Sequence, residues 1–243
     1  MAKHREALAA LALPPVFATL VAAFVLETTW NVALFAGIAA LFMFCDAWYF
    51  IRLSLWLLHE AVDDWWGLPR KHLFEASELP GRILPMDIDR NAHCNNARFL
   101  RECGFGRRDL WHRNGVWKII RAHGGNLVIG TQTVRYRREL SLGQRYFLQT
   151  RLLCWDERAF YVEHRFVTFN ESTDHAFVHA IVLAKNNVLG KLTPAKIVSM
   201  LPNARKDETT NPSMPDDVAK WIESNDASSK TLRAEAAAHT KRE

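Results

Sequence analysis

Cysteine is scarce in this chain and badly spaced for chemistry. Four occur in 243 residues, and Cys45, Cys94, Cys103 and Cys154 contain no C-x-x-C pair and no metal-ligand spacing. That excludes a zinc ribbon, a thioredoxin-like centre and a dense disulfide framework. Read as free thiols, they point to a domain folded in a reducing compartment. Charge of one sign is also in short supply: 31 basic against 26 acidic residues leave a net charge of +5. With no zinc-finger or RNP pattern, nucleic acid is excluded as a partner. The mild excess suits a polyanionic small ligand or an anionic membrane surface. Global disorder is excluded by a composition that is 49% hydrophobic and 23% charged. His112, His123, His164, His175 and His179 lack ligand spacing, so no metal or other cofactor is expected.

What the chain does contain is an apolar N-terminus. Ala7 to Leu26 is an uncharged run behind Lys3, His4 and Arg5, broken by Pro14 and Pro15. A second run, Val32 to Phe44, continues past Asp46 to Ile51 and closes at Arg52. A helical span needs about 20 apolar residues. The first run has that length; the second has it only with Asp46 near an interface. A helical hairpin and a cleaved signal peptide followed by one anchor both fit. Trp48, Tyr49, Trp56, Trp65 and Trp66 then crowd the exit, as aromatic residues do at a bilayer interface. Leu53 to Trp66 reads as an amphipathic segment lying along that interface.

From Ile83 the elements become short. Ile83 to Met86 is expected as a strand and Asn96 to His112 as a helix, with Phe99, Cys103, Leu110 and Trp111 on one face. Gly104 and Gly106 weaken that helix unless something packs closely against them. Four segments with strand composition follow, Asn126 to Arg138, Arg145 to Trp155, Phe160 to Phe169 and Ala176 to Lys185. The order of strand, long helix and four meandering strands predicts an α+β domain with one helix on one antiparallel sheet. The tail after Pro194 is polar, with a short helix expected over Asp217 to Ser224.

The chemistry concentrates between Met86 and Asn96. In extended chain, side chains alternate with a period of two, so Asp87, Asp89, Asn91 and His93 would project to one side. Asn95 or Asn96 would cap the following helix, whose first amides form a donor-rich oxyanion site. A carboxylate, an amide and an imidazole facing such donors are the parts that thioester hydrolysis requires. The same residues would equally serve as a polar loop in which Asp and Asn set turn geometry.

The pattern Asp87-x-Asp89-x-Asn91-x-His93-x-Asn95-Asn96-x-x-Phe99-Leu100 resembles the active-site signature of hotdog-fold thioesterases. It is most similar to that of the plant acyl-carrier-protein thioesterases. Tyr136-Arg-Arg-Glu139 resembles the segment carrying that family's catalytic glutamate. The resemblance implies catalytic roles for Asp89, Asn91, His93 and Glu139. Leu140 stands where that family has a cysteine, and Ala92 where bacterial hotdog thioesterases usually have glycine. Over residues 45 to about 230 the chain is similar to the animal thioesterase superfamily member six proteins. Asp46-Ala-Trp-Tyr49, His93-x-Asn-Asn-Ala-Arg98, Cys154-Trp-Asp-Glu-Arg-Ala-Phe-Tyr161 and Ser224-Asn-Asp-Ala-Ser-Ser229 carry that likeness.

Together these readings predict a membrane anchor over residues 1–58, a juxtamembrane linker over 59–79, a single hotdog domain over 80–190 and a polar tail over 191–243. The expected activity is acyl-CoA or acyl-carrier thioester hydrolysis. A hotdog hydratase has a different Asp-to-His spacing and a proline that is missing here. A non-catalytic, membrane-bound acyl-binding or scaffold protein is the alternative from another class. Arg135, Arg137, Arg138, Arg145 and Arg151 would offer a basic flank for coenzyme A phosphates. Exposed sheet edges imply a homodimer. Basic residues at both ends of the apolar region favour an endoplasmic-reticulum membrane location with a cytosolic domain. If the domain were lumenal or secreted instead, Asn170-Glu-Ser172 would accept an N-glycan.

Overall fold

A computed structural model of the chain describes residues 16–25, 29–67, 70–169, 175–202 and 209–240. The chain divides between Leu68 and Pro69 into two compact units. In the first, residues 16–25 are helical and end in a π-helical turn, Val21–Val25. Helices α1 (Trp30–Phe44) and α2 (Ala47–Trp66) follow. Residues 16–25 run antiparallel to α1: Phe24 meets Trp30 edge-on at 6.0 Å, while Val16 and Leu20 share a groove with Leu34, Ile38 and Leu41.

Burial in this unit is inverted relative to a water-soluble helix pair. Among residues 16–44 the buried positions are the small residues Ala22, Ala33, Gly37 and Ala40, while the large apolar side chains Phe17, Phe24, Leu34, Phe35 and Met43 point outward; α2 buries Ala47 and Glu60. The second apolar run is not one straight span. It breaks at Cys45 and Asp46, and α1 and α2 meet at 89°. Asp46 Oδ1 accepts the Tyr49 amide and caps α2, which is why the chain bends there. No single described helix is long and apolar enough to cross a membrane; only the bent pair passes by length and composition. Of the first run expected to span, residues 1–15 lie outside the described residues. Helix α2 continues to Trp66, eight residues past the anchor boundary expected at 58.

The second unit is built on one antiparallel sheet. Its strands are β1 (Ser77–Arg82), β2 (Asn126–Tyr136), β3 (Arg145–Trp155), β4 (Ala159–Phe169) and β5 (Ala176–Leu189), in the spatial order β1-β3-β4-β5-β2. The first strand is Ser77–Arg82 rather than Ile83 to Met86, and Pro85–Asp87 is a 3-10 turn. The sequence Ser-Glu-Leu-Pro-Gly-Arg has no apolar alternation to announce a strand. It is held by pairing with β3 at the sheet edge, where Pro80 is tolerated.

Helix α3 (Asn96–Arg113) crosses one face of the sheet. Phe99, Cys103, Gly106 and Leu110 fall on its buried face at helical spacing. Gly106 is the point of closest approach: a Cβ there would overlap Thr150 Oγ1 and lie 3.1 Å from Leu148 Cδ2. One core cluster packs Phe99, Cys103 and Leu140 against Leu148, Phe166 and Val182. A second packs Leu110 and Trp111 against Phe160 and Val162, with α4 (Val116–Ala122) and α5 (Pro194–Ser199) closing it. Ser77 Oγ donates to buried Asp109, which also accepts from Arg113 Nε, fastening β1 to the end of α3.

The tail carries a longer helix than the one expected over Asp217 to Ser224. Helix α6 runs from Asp216 to Thr240. Its 25 residues contain neither Gly nor Pro, so nothing in the sequence stops it. Val218, Trp221 and Ile222 cover Cys154, Tyr161 and Leu183 on the sheet face opposite α3. A bulge at Leu153 turns Cys154 to that face.

Candidate active site

The loop ahead of α3 folds as a tight turn, not as extended chain. Asp89 N donates to His93 O, Ala92 N donates to Asp89 O, and Ile88 bridges Cys94. Asp89 Oδ1 accepts the Asn91 amide at 2.8 Å, an Asx-type closure. Ala92 takes φ +61°, the left-handed conformation that glycine adopts without strain.

The expectation that four side chains share one side is therefore corrected. Asp87 is buried beneath the loop, where Oδ2 accepts the Leu84 amide and Oδ1 pairs with Arg101 at 3.2 Å and Arg98 at 3.8 Å. Its work is structural. Asn91 meets Asp89 through its backbone N–H, and its side chain is exposed.

Asp89 and His93 do come together, with Nδ1 lying 3.7 Å from Asp89 Oδ1. The segment after β2 supplies the third group. Cys94 N donates to Leu140 O and His93 bridges Ser141, which draws Glu139 alongside. Glu139 Oε2 then lies 3.7 Å from His93 Nε2, placing the imidazole between two carboxylates. Both separations are ion-pair contacts, longer than hydrogen bonds. The His93 and Asp89 side chains are 30% and 25% exposed, and Glu139 is 61% exposed, so water reaches all three.

Asn95, not Asn96, caps α3: its Oδ1 accepts the Ala97 amide at 2.9 Å. The Asn96 amide has no acceptor among the described residues, and Asn96 O accepts from Tyr136 Oη at 2.9 Å. Sequence reasoning found Tyr136 only as part of a motif. Its role is to tie the helix start to β2.

His179, one of the histidines without ligand spacing, is a structural support. It donates from Nδ1 to Glu139 O and accepts from Thr168 Oγ1 at Nε2, both at 2.9 Å. Burial depresses its pKa, which keeps the ring neutral and able to accept at Nε2. The only advance signal was its place in the alternation of β5.

Leu140 is fully buried among Phe99, Cys103 and Val182. The thiols cannot replace a cysteine there. Burial pushes Cys94 and Cys103 up to about 12 and Cys154 to about 11, so all three stay protonated at neutral pH.

The five arginines do not form one flank. Arg137 and Arg138 stack over Phe177 at 5.2 and 4.2 Å, and Arg135 is exposed near the same end of β2. Arg145 and Arg151 lie on β3, with β4 and β5 between them and β2. Arg151 pairs with Glu163 at 2.8 Å. Asn170 lies outside the described residues. Among the described residues no cluster of three or more His, Cys, Asp or Glu is placed to hold a metal ion.

The family profile of the thioesterase-like superfamily matches residues 83–222, a stretch that includes the loop, Glu139, the sheet and the start of α6. The chain belongs to this superfamily. Within it, the chain is similar to proteins named THEM6. It is 38% identical to Protein THEM6 of Xenopus laevis over 82% of this chain and 90% of that one. It is 38% identical to the Danio rerio protein over 82% and 93%. The Drosophila melanogaster protein is 28% identical over 79% and 94%. Among solved structures, the chain is similar to the 4-hydroxybenzoyl-CoA thioesterase of a Pseudomonas species. That match has 12% identity and TM-score 0.45, and covers 51% of this chain and 97% of the other. The superfamily's antiparallel sheet and long helix are the ones described above.

Proposed function

We propose that this chain is a membrane-tethered hydrolase of acyl thioesters, carried on coenzyme A or a carrier protein. The observation that carries the reading is the His93 imidazole held between Asp89 and Glu139 beside the start of α3. The thioester carbonyl oxygen is received by the Asn96 amide, where the helix dipole favours developing negative charge. Asp89 takes a proton from water while the water oxygen attacks the carbonyl carbon. The Asn91 amide holds one Asp89 oxygen and leaves the other to the water. As the C–S bond breaks, His93 gives a proton to the departing sulfur, and the Asp89 proton restores it through their contact. The products are a carboxylic acid and a thiol. Glu139 fixes the imidazole from its other side and stabilises its protonated form.

Two further parts of the reading concern surroundings. Residues 16–44 expose large apolar side chains and bury small ones, the pattern of helices packed in lipid. Helix α1 has 15 residues and is about 22 Å long, short of the ~30 Å hydrocarbon core. With its bend, the unit suits insertion as a hairpin from one face, with amphipathic α2 along the interface. In the second unit β2 is an edge of 11 residues without proline. A second copy pairing along it would satisfy its open backbone groups and form a homodimer. Exposed Arg135 is the member of the arginine group best placed to meet coenzyme A phosphates.

The test is thiol release from an acyl-CoA chain-length series by purified full-length protein. Turnover is expected, and Asp89→Asn, nearly isosteric, should lower it by roughly 10²- to 10⁴-fold with unchanged folding. Wild-type turnover in that variant would reject the assignment. Saturable acyl binding without thiol release would establish the non-catalytic alternative.

A further inference from the structure

The second half of α3 opens onto a cleft that the catalytic loop does not use. It encloses 200 Å³ between α3, α4 and strands β2 and β5, with Arg107, Arg108, Trp111, Trp117, Leu127, Ile129 and Asn186 on its walls. Aromatic and aliphatic side chains share its walls with the donors of Arg107, Arg108 and Asn186, as in a pocket for an organic ligand with a polar end.

Three features require explanation. Arg107 is drawn in against the sheet, where its Nη1 donates to His164 Nε2 at 3.3 Å. His164 is fully buried, held neutral by that burial, and bonded through Nδ1 to Thr150 Oγ1 at 2.9 Å. Arg107 therefore spends its one side-chain contact on a neutral ring, and among the described residues no carboxylate pairs with it. A desolvated guanidinium without a counter-ion is costly. Beside it, Trp111 is 4% exposed, and its indole Nε1–H is buried with no acceptor among the described residues. Finally, Gly104 at the rim leaves the helix bare: a Cβ there would meet only Arg107 Nη2, at 4.0 Å. Glycine inside a helix is unfavourable, and here no packing explains it.

A cation whose hydrogen-bonded partner is a neutral ring, beside a buried N–H donor with no acceptor among the described residues, suits a singly charged acceptor on an apolar body. We propose that this cleft binds a carboxylate carried by an aliphatic or aromatic group. The Arg107 guanidinium and the indole donor match a monoanion: Arg108, the second cation on the wall, already has an interaction of its own, which leaves too little free positive charge for a phosphate. The place of the cleft suggests the source. Tyr136 at the end of β2 touches Asn96 at the start of α3, while Leu127 and Ile129 near the start of β2 line the cleft beside Arg107 and Trp111. The catalytic loop and the cleft are therefore opposite ends of one α3–β2 seam, separated by about 16 Å of helix at 1.5 Å per residue. An acyl chain held at the loop would place a carboxyl at its far end in the cleft. A free carboxylic acid would supply the same group. The first source rests on the hydrolase reading above; binding itself does not.

Full-length protein in lipid nanodiscs is titrated by calorimetry with hexanoate, hexan-1-ol and inorganic phosphate. Hexanoate should bind saturably at one site per chain, with hexanol weaker by roughly tenfold or more, the worth of a charge-assisted hydrogen bond. Arg107→Gln should weaken hexanoate by a similar factor. Because that change also alters the contact at His164 Nε2, Trp111→Phe serves as the second variant. It keeps the ring, deletes the N–H, and should weaken hexanoate but not hexanol. Equal binding of hexanoate and hexanol, displacement of hexanoate by phosphate, or no saturable binding overturns the proposal. Hydrolysis of dodecanedioyl-CoA against dodecanoyl-CoA separates the sources once hexanoate binding is seen. A preference for the diacid that is lost in Arg107→Gln places the carboxyl on the substrate's tail. No preference places a free acid in the cleft. Failure to hydrolyse either thioester sinks the hydrolase reading and leaves the binding result standing.

Discussion

Gly104 and Gly106 lie on the same helix and oppose the helix equally by propensity, yet they have opposite surroundings. A methyl at Gly106 would collide with Thr150 and crowd Leu148, so Gly106→Ala should destabilise by about 1–3 kcal/mol. Gly104 faces open space, and Gly104→Ala should stabilise by about 0.5–1 kcal/mol. Denaturant midpoints of the two variants check both signs. The sequence marked both glycines but could not separate them, because the distinction lies in which face the sheet covers. Much the same holds at the candidate site. Asp89, His93, Glu139 and the Asn95 cap were legible as a motif. The burial of Asp87 and the backbone role of Asn91 were not, since a turn through Ala92 replaces the period-two chain. His164 gives a residue-scale prediction about acid. Its folded pKa is held far below 6.5 by burial, so below pH 6.5 the unfolded chain takes up a proton that the folded chain refuses. Stability conferred by the neutral ring is complete above that pH and falls as pH drops, by up to about 1.4 kcal/mol per unit. Unfolding free energies at pH 7.5, 6.5 and 5.5 should show the decline. His164→Asn, which retains a donor for Thr150, should be less stable at pH 7.5 and should lose this part of the slope.

Among the elements, β2 to β5 were readable because alternation and β-branched residues mark strands whose two faces differ. Strand β1 was not, as an edge strand of Ser, Pro and Gly is specified by its partner β3 rather than by its own pattern. Helix α4 went unassigned because seven residues give too short a window for periodicity. Helix α6 was underestimated: its far part is Ala-rich and exposed, so composition sustains it without an apolar stripe. Its near part does cover something. Val218 is fully buried, and Trp221 stands edge-on to Tyr161 at 6.4 Å. Removing residues 214–243 should uncover Cys154, Tyr161 and Leu183 on the sheet. The expected result is a lower unfolding midpoint and concentration-dependent aggregation seen by light scattering, as an exposed apolar patch predicts. Truncation after Thr231, beyond the packed turns, should leave both unchanged.

At the scale of the whole molecule, the proposed membrane tether carries a prediction about which side of the membrane the second unit would face. Lys3, His4 and Arg5 precede the apolar region, and Arg52, Arg70 and Lys71 follow α1. The positive-inside tendency keeps such flanks cytosolic, and a hairpin satisfies both ends at once. Residues 16–25 lie antiparallel to α1, so the described part of this region returns toward the side it came from. A cleaved signal or a single span would instead carry the second unit to the lumen. The sequence carries a reporter in Asn170-Glu-Ser172, a glycosylation acceptor that follows β4 in the sequence. When the full-length protein is made in animal cells, Asn170 should carry no glycan, and endoglycosidase should leave its gel mobility unchanged. A shift that the enzyme removes, and that Asn170→Gln abolishes, would place the unit in the lumen. A glycan site moved onto the far end of α6 should give the same unmodified result, because both positions belong to the second unit. If both sites are glycosylated, the hairpin reading fails, and the single-span or cleaved-signal arrangement takes its place.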